Sequence, residues 1–103
     1  MGKNSTLRYV WDNAKNTANQ AKHGITFEDA IKIFDGPILE RQDNREDYGE
    51  IRMYAIGLAG DINLTVIYTD RAYDQRRIIS AWKSERAERR AWHEKYGGDW
   101  TLS

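Results

Sequence analysis

The chain has 103 residues, 16 Lys and Arg against 16 Asp and Glu, no Cys, one Pro, two His, four Trp and six Tyr. That length argues for one domain over residues 1–103 with a single modest core, and the missing Cys exclude a disulfide scaffold or a thiolate metal site. No apolar run reaches the roughly 18 residues a membrane span needs and no signal-peptide core follows the start, so a cytoplasmic setting is expected, with no metal and no cofactor.

Residues 1–7 read as a polar, frayed start. The Met1-Gly2 and Asn-x-Thr patterns at Asn4 and Asn63 recur too easily by chance to carry weight. Arg8 to Trp11 is expected as a short strand. Asp12 then caps a helix through residue 22, with Ala14, Ala18 and Ala21 at helical spacing and Gly24 as its left-handed stop. Thr26 caps a second helix whose apolar stripe is Phe27, Ala30, Ile31 and Phe34, and Asp35-Gly36-Pro37 ends it. Ile38 to Glu40 makes a short strand, followed by a polar loop from Gln42 to Gly49. Glu50 to Leu58 and the segment carrying Ile62, Leu64, Val66 and Tyr68 form a hairpin across Ala59-Gly60-Asp61. Arg76 to Trp82 is a last strand. Ser84 caps a final helix to about Tyr96, stopped by Gly97-Gly98, with residues 97–103 as a tail. The order gives an α+β fold: a small antiparallel sheet of three to five strands, with two N-terminal helices and a C-terminal helix packed on one face.

Zero net charge hides an uneven distribution. Residues 1–25 sum to +3, 26–50 to −5, 51–70 to −1, 71–95 to +4 and the remainder to −1. If the two basic blocks meet in the fold, they form a positive face that the average conceals; otherwise they are the solvated faces of amphipathic helices. His23 falls at the C-terminal end of the first helix beside Lys22, where the negative end of the dipole attracts a cation. It could move a proton or grip a phosphate there, or simply cap carbonyls. Arg76 and Arg77 adjoin on opposite faces of the last strand, one toward the helices and one toward the open sheet face. Ser80, Trp82 and Lys83 continue that strand, and Arg86, Arg89 and Arg90 crowd the last helix beside Trp92. Guanidiniums beside an aromatic platform suit RNA, whose phosphates match forked donors and whose unpaired bases stack. Trp92 also fits a core pair with Tyr96. No Gly-rich phosphate loop, H-E-x-x-H, G-x-S-x-G or Cys nucleophile is present, and Asp43, Glu46 and Asp47 match no calcium-loop spacing and read as a solvated acidic loop.

The ordered set Trp11-Asp12, Asn19, Lys22-His23-Gly24-Ile25, Phe27-Glu28, Ala30 and Phe34-Asp35-Gly36-Pro37 continues with Arg52, Ile56-Gly57, Val66, Tyr68-Thr69 and Arg77-Ile78-Ile79-Ser80-Ala81. With the arginine-rich helix ending near Tyr96, it resembles the BrnT family of toxins from bacterial type II toxin–antitoxin modules over Tyr9 to Tyr96. The resemblance implies a RelE-like fold and a ribonuclease that blocks translation. It also implies a BrnA-type ribbon-helix-helix antitoxin that silences the toxin, with operator DNA reached only through their complex. On matching positions, Lys22, His23, Arg52 and Arg77 become candidate functional residues. Many relatives carry Arg after the Ser-Ala of the last strand, where this chain has Trp82.

A metal-independent ribonuclease needs a base for the 2′-hydroxyl, cations for the phosphorane charge and an acid for the 5′-oxygen. Lys22, His23 and Arg77 are the expected catalytic set, with His23 as acid or base, and Arg52, Arg71, Arg76, Trp82, Lys83 and Arg86 are the expected RNA contacts. An interaction module that binds its antitoxin without cutting RNA is the alternative reading, and Trp82 is the residue that gives it weight.

Overall fold

In the computed structural model, which describes residues 7–97, local chemistry sets most element ends. The expected frayed start and C-terminal tail lie outside those residues, apart from Leu7 and Gly97. β1 (Arg8–Val10) gives way to α1 (Asn13–His23), whose first turn is capped by Asp12 Oδ1 accepting from the N–H groups of Ala14 and Lys15. Gly24, at φ 75°, closes α1 in the left-handed region.

Thr26 caps what comes next, but the expected second helix is split. α2 covers only Phe27–Ala30, and a 3-10 segment runs over Ile31–Asp35. The tighter winding lines up residues three apart, and Phe27, Ala30 and Ile33 are all fully buried. At the other end of the chain the expected cap also moves. Ser84 is buried with its hydroxyl bonded to Thr65, so Glu85 takes the cap position of α3 (Arg86–Trp92) in a reciprocal box with Glu88. A π-type turn over His93–Gly97 follows.

The strands β2 (Leu39–Gln42), β3 (Met53–Ala59), β4 (Ile62–Arg71) and β5 (Gln75–Lys83) join β1 in one five-stranded sheet of order β1-β5-β4-β3-β2. β1 runs parallel to β5, so the sheet is mixed rather than antiparallel; the other pairings are antiparallel. Helices also cover both faces, not one. Leu64, Val66 and Tyr68 of β4 meet Phe27, Ala30 and Ile33 in the main core, while Thr65, Ile67 and Thr69 on the opposite face are equally buried. α3 lies over part of that second face: Glu88 accepts from Tyr54 and Trp82, and Trp92 is buried with its indole N–H on the Pro37 carbonyl. The rest of the second face stays open.

Two features aim residues at that opening. Ile67 pairs with Ser80 but Tyr68 pairs with Ile78, so Ile79 is an extra residue in β5. This bulge resets the alternation, placing Arg77, Ser80 and Trp82 together on the second face, whereas unbroken alternation would set Arg77 opposite the other two. The second feature is Asn19, buried in α1. β1 pairs only with Gln75 to Arg77, and beyond it the β5 edge is met by Asn19, whose amide donates to Ala81 O at 2.8 Å and accepts from Ala81 N at 3.2 Å. A third bond to Ile25 O at 2.9 Å fixes the turn after α1. Asn19 thus imitates a neighbouring strand and docks the C-terminal end of α1 beside the open face.

Candidate functional site

The open part of the second face is a cleft of about 640 Å³ lined by Lys22, His23, Arg45, Arg52, Ile67, Ile79, Ser80, Trp82, Lys83 and Glu85. Its cations come from α1, from the loop after β2, from the approach to β3 and from the end of β5. The two basic blocks of the sequence therefore do meet, through Lys22 and Lys83. Glu85 is the single carboxylate of the lining.

Trp82 is a shared neighbour of two of the lining residues. Its indole N–H bonds Glu88 Oε1 at 3.2 Å, the His23 ring lies 6.1 Å away tilted by 45°, and the Arg45 guanidinium stands 5.8 Å over its ring. Where the family resemblance leads one to expect an arginine, a guanidinium is thus still present, supplied from the loop. Beneath the cleft, Tyr54 also donates to Glu88, and burial, reinforced by that bond, raises the phenol well above its ordinary pKa. Glu88 therefore holds α3, Trp82 and Tyr54 to one another.

The loop expected as solvated acid is built otherwise. Asp43 is buried and its carboxylate is gripped by Arg45, Nε on Oδ1 at 2.8 Å and Nη2 on Oδ2 at 2.9 Å. Tyr48 donates to the same Oδ2 at 3.2 Å, and Arg45 N–H bonds Oδ1 at 3.2 Å in an Asx turn. Arg45's hydrogen bonds hold the Asp43 carboxyl below the usual aspartate range, and the pairing keeps the guanidinium charged. The Tyr48 ring in turn lies 4.1 Å under the Arg52 guanidinium, whose Nε reaches Glu50 Oε2 at 3.2 Å. Glu46 and Asp47 remain exposed, and among the described residues no three acidic, His or Cys side chains are grouped to hold a metal.

The expected residues divide accordingly. Lys22, His23, Arg52, Trp82 and Lys83 line the cleft. Arg77 is half-buried on the same sheet face but lies outside the lining. Arg71 reaches Glu50 at 3.4 Å at the far end of β4. Arg76 is on the other face altogether, paired with both oxygens of Asp70 and stacked 4.1 Å over Tyr68 and 4.8 Å over Phe34. Arg86 lines a separate shallow hollow of α3 with Arg90. Arg45 and Tyr48 had no role in the sequence reading, and Asp43 had only that of a solvated acid. The available signal was an Asp two positions before an Arg in a loop, the spacing of an Asx turn.

The family model for the ribonuclease toxin BrnT of type II toxin–antitoxin systems matches residues 11–88, a span containing both strand edges of the cleft and all its lining residues. The chain belongs to the BrnT family. It is thus a ribonuclease toxin of a type II module. Among solved structures it is similar to the Brucella abortus ribonuclease toxin BrnT, with 25% identity and a TM-score of 0.59 over 79% of this chain and 100% of that one. A search of the curated proteins gives no match. BrnT membership agrees with the α+β architecture, and no helix among the described residues is long and apolar enough to cross a membrane.

Proposed function

We propose that the cleft holds the RNA strand being cut and that cutting is a metal-independent endonucleolytic transesterification within a RelE-like fold. The supporting observation is the convergence of Lys22 and His23 with Arg52, Trp82 and Lys83 around one cavity. A divalent metal would call for several carboxylates, whereas this lining offers cations and one glutamate. In the reaction the 2′-oxygen attacks the adjacent phosphorus, the P–O5′ bond breaks, and the products carry a 2′,3′-cyclic phosphate and a 5′-hydroxyl. Lys22 and Arg52, with Arg77 on the same sheet face, neutralise the charge that gathers on the phosphorane oxygens. His23 is the acid or base, and Trp82, fixed by Glu88, keeps its ring in place. Lys83 extends the positive surface along the strand end.

The same surface suits neutralisation by an acidic segment of a BrnA-type ribbon-helix-helix antitoxin, with operator DNA engaged only by the complex and the setting cytoplasmic. The test incubates purified protein with RNA in EDTA, with and without that partner. Cleavage yielding cyclic-phosphate ends, abolished by the partner, is expected. His23→Ala should lower it by about 10²–10⁴, the usual contribution of general acid–base catalysis, in a folded domain. Undiminished cleavage by that variant removes His23 from the mechanism, and partner binding without any cleavage supports the interaction-module reading.

A further inference from the structure

The cleft contains a cation that is held from one side and exposed on the other. Arg45 presents its side chain 59% exposed, while the carboxylate that grips it is 1% exposed. A clamp meant only to fasten the loop would bury the guanidinium as well as the acid. Here the two bonds to Asp43 use Nε and Nη2, leaving Nη1 and the second Nη2 hydrogen as donors. Those donors belong to a residue of the cleft lining, and the guanidinium lies 5.8 Å from the centre of the Trp82 ring. The same buried carboxylate accepts from Tyr48, whose ring carries Arg52. Asp43 N–H also bonds Arg52 O at 2.8 Å, closing the base of the loop onto the start of β3. One acid therefore fixes two cations, Arg45 directly and Arg52 through an aromatic ring.

We propose that Arg45 binds a phosphate of the RNA strand in the cleft, and that Asp43 is the positioning residue that aims both Arg45 and Arg52. The assignment rests on the RNA reading of the cleft. A guanidinium held side-on by a carboxylate offers its remaining face as a fixed fork, which matches two phosphate oxygens and leaves little rotational freedom to be lost on binding. Arg45 adds to the substrate contacts expected from the basic blocks, and it comes from the most acidic quarter of the chain.

The test measures binding, not cleavage, so that it stands apart from the catalytic assignment. The probe is a single-stranded RNA oligonucleotide with 2′-O-methyl groups throughout, which cannot be cut, followed by fluorescence anisotropy between 50 and 200 mM NaCl. Arg45→Ala should weaken binding about tenfold and flatten the log K against log salt slope by about 0.7, the value for one lost phosphate contact on a single strand. Arg45→Lys should restore the slope without restoring the affinity. Asp43→Asn should weaken binding while Arg45 is present and have a much smaller effect in the Arg45→Ala background, since its action runs chiefly through that residue. Parental affinity and slope in a folded Arg45→Ala protein overturn the assignment, as does weakened binding with an unchanged slope, the mark of a purely structural clamp. If the parent protein itself does not bind the probe, the RNA reading fails together with this one.

Discussion

Asn19 joins the fold to the site, and Asn19→Ala measures how much. Its side chain makes four hydrogen bonds, to Ile25 O, Ala81 O, Ala81 N and the Ser80 hydroxyl. The hydroxyl of half-buried Ser80 can turn to water, but truncation strands two buried carbonyls and one buried N–H. At about 1 kcal/mol for each unmet group the loss is about 3 kcal/mol, a large share of the 5–15 kcal/mol typical of a whole domain. For a domain of this size that corresponds to a fall in Tm of about 15 °C. Urea unfolding followed by circular dichroism checks it, read as a lower midpoint at an unchanged slope. Asn19→Asp should be at least as damaging at neutral pH, because an oxygen then faces two carbonyls, and should partly recover on acidification as the carboxyl gains a proton. Cleavage should fall by more than the unfolded fraction explains, since His23 stands one turn beyond the tether. A loss below 1 kcal/mol in Asn19→Ala would refute the claim that this side chain completes the sheet edge.

Arg76→Ala should cost about 1–2 kcal/mol, from its stacking on Tyr68 and Phe34 and its partly exposed Asp70 pair, yet leave RNA affinity within twofold in the oligonucleotide assay. Loss of affinity without loss of stability would return Arg76 to the RNA surface. Asp43 gives a pH dependence of definite sign. Its pKa is lower folded than unfolded, so its contribution is complete above the ordinary aspartate value of about 3.9 and disappears as pH falls through the folded value. Urea midpoints of the parent and Asp43→Asn proteins should therefore converge below about pH 4, and a constant gap down to pH 2.5 would contradict the Arg45 pairing. Tyr54 acts at the other extreme: its raised pKa predicts stability that declines as pH climbs above about 10, and Tyr54→Phe should flatten that decline.

Trp82 shows how a single substitution is read differently in one dimension and in three. As a letter in the sequence it marks an absent arginine, replaced by stacking or at some cost in activity. In the fold it is a platform: half-buried, bonded to Glu88, beside His23 and under Arg45. The position carries no charge, and the cleft beside it carries that of Arg45.

Much of the molecule was legible in the chain because its signals are local. Caps at Asp12 and Thr26, the stop at Gly24 and the hairpin at Gly60 depend on neighbours a few residues away, and all formed; β4 formed as well, but buried on both faces. The ordered motif set likewise identified the family, and the helix end at Lys22-His23 was legible from the Gly24 stop. What the sequence could not decide involves partners far apart along it. The parallel pairing of β1 with β5 and Asn19 standing in for a strand join residues separated by more than sixty positions, and α3 covers the second face through partners 34 and 55 positions away, Tyr54 and Pro37. The bulge at Ile79 changed which arginine shares a face with Ser80, and a period-two pattern cannot announce its own interruption. Asp43 read as one of several solvated acids because burial is a property of what packs around a residue. Sequence determined the elements and the kinship; packing decided which charges point into the cleft, because only long-range contacts fix where a side chain meets water.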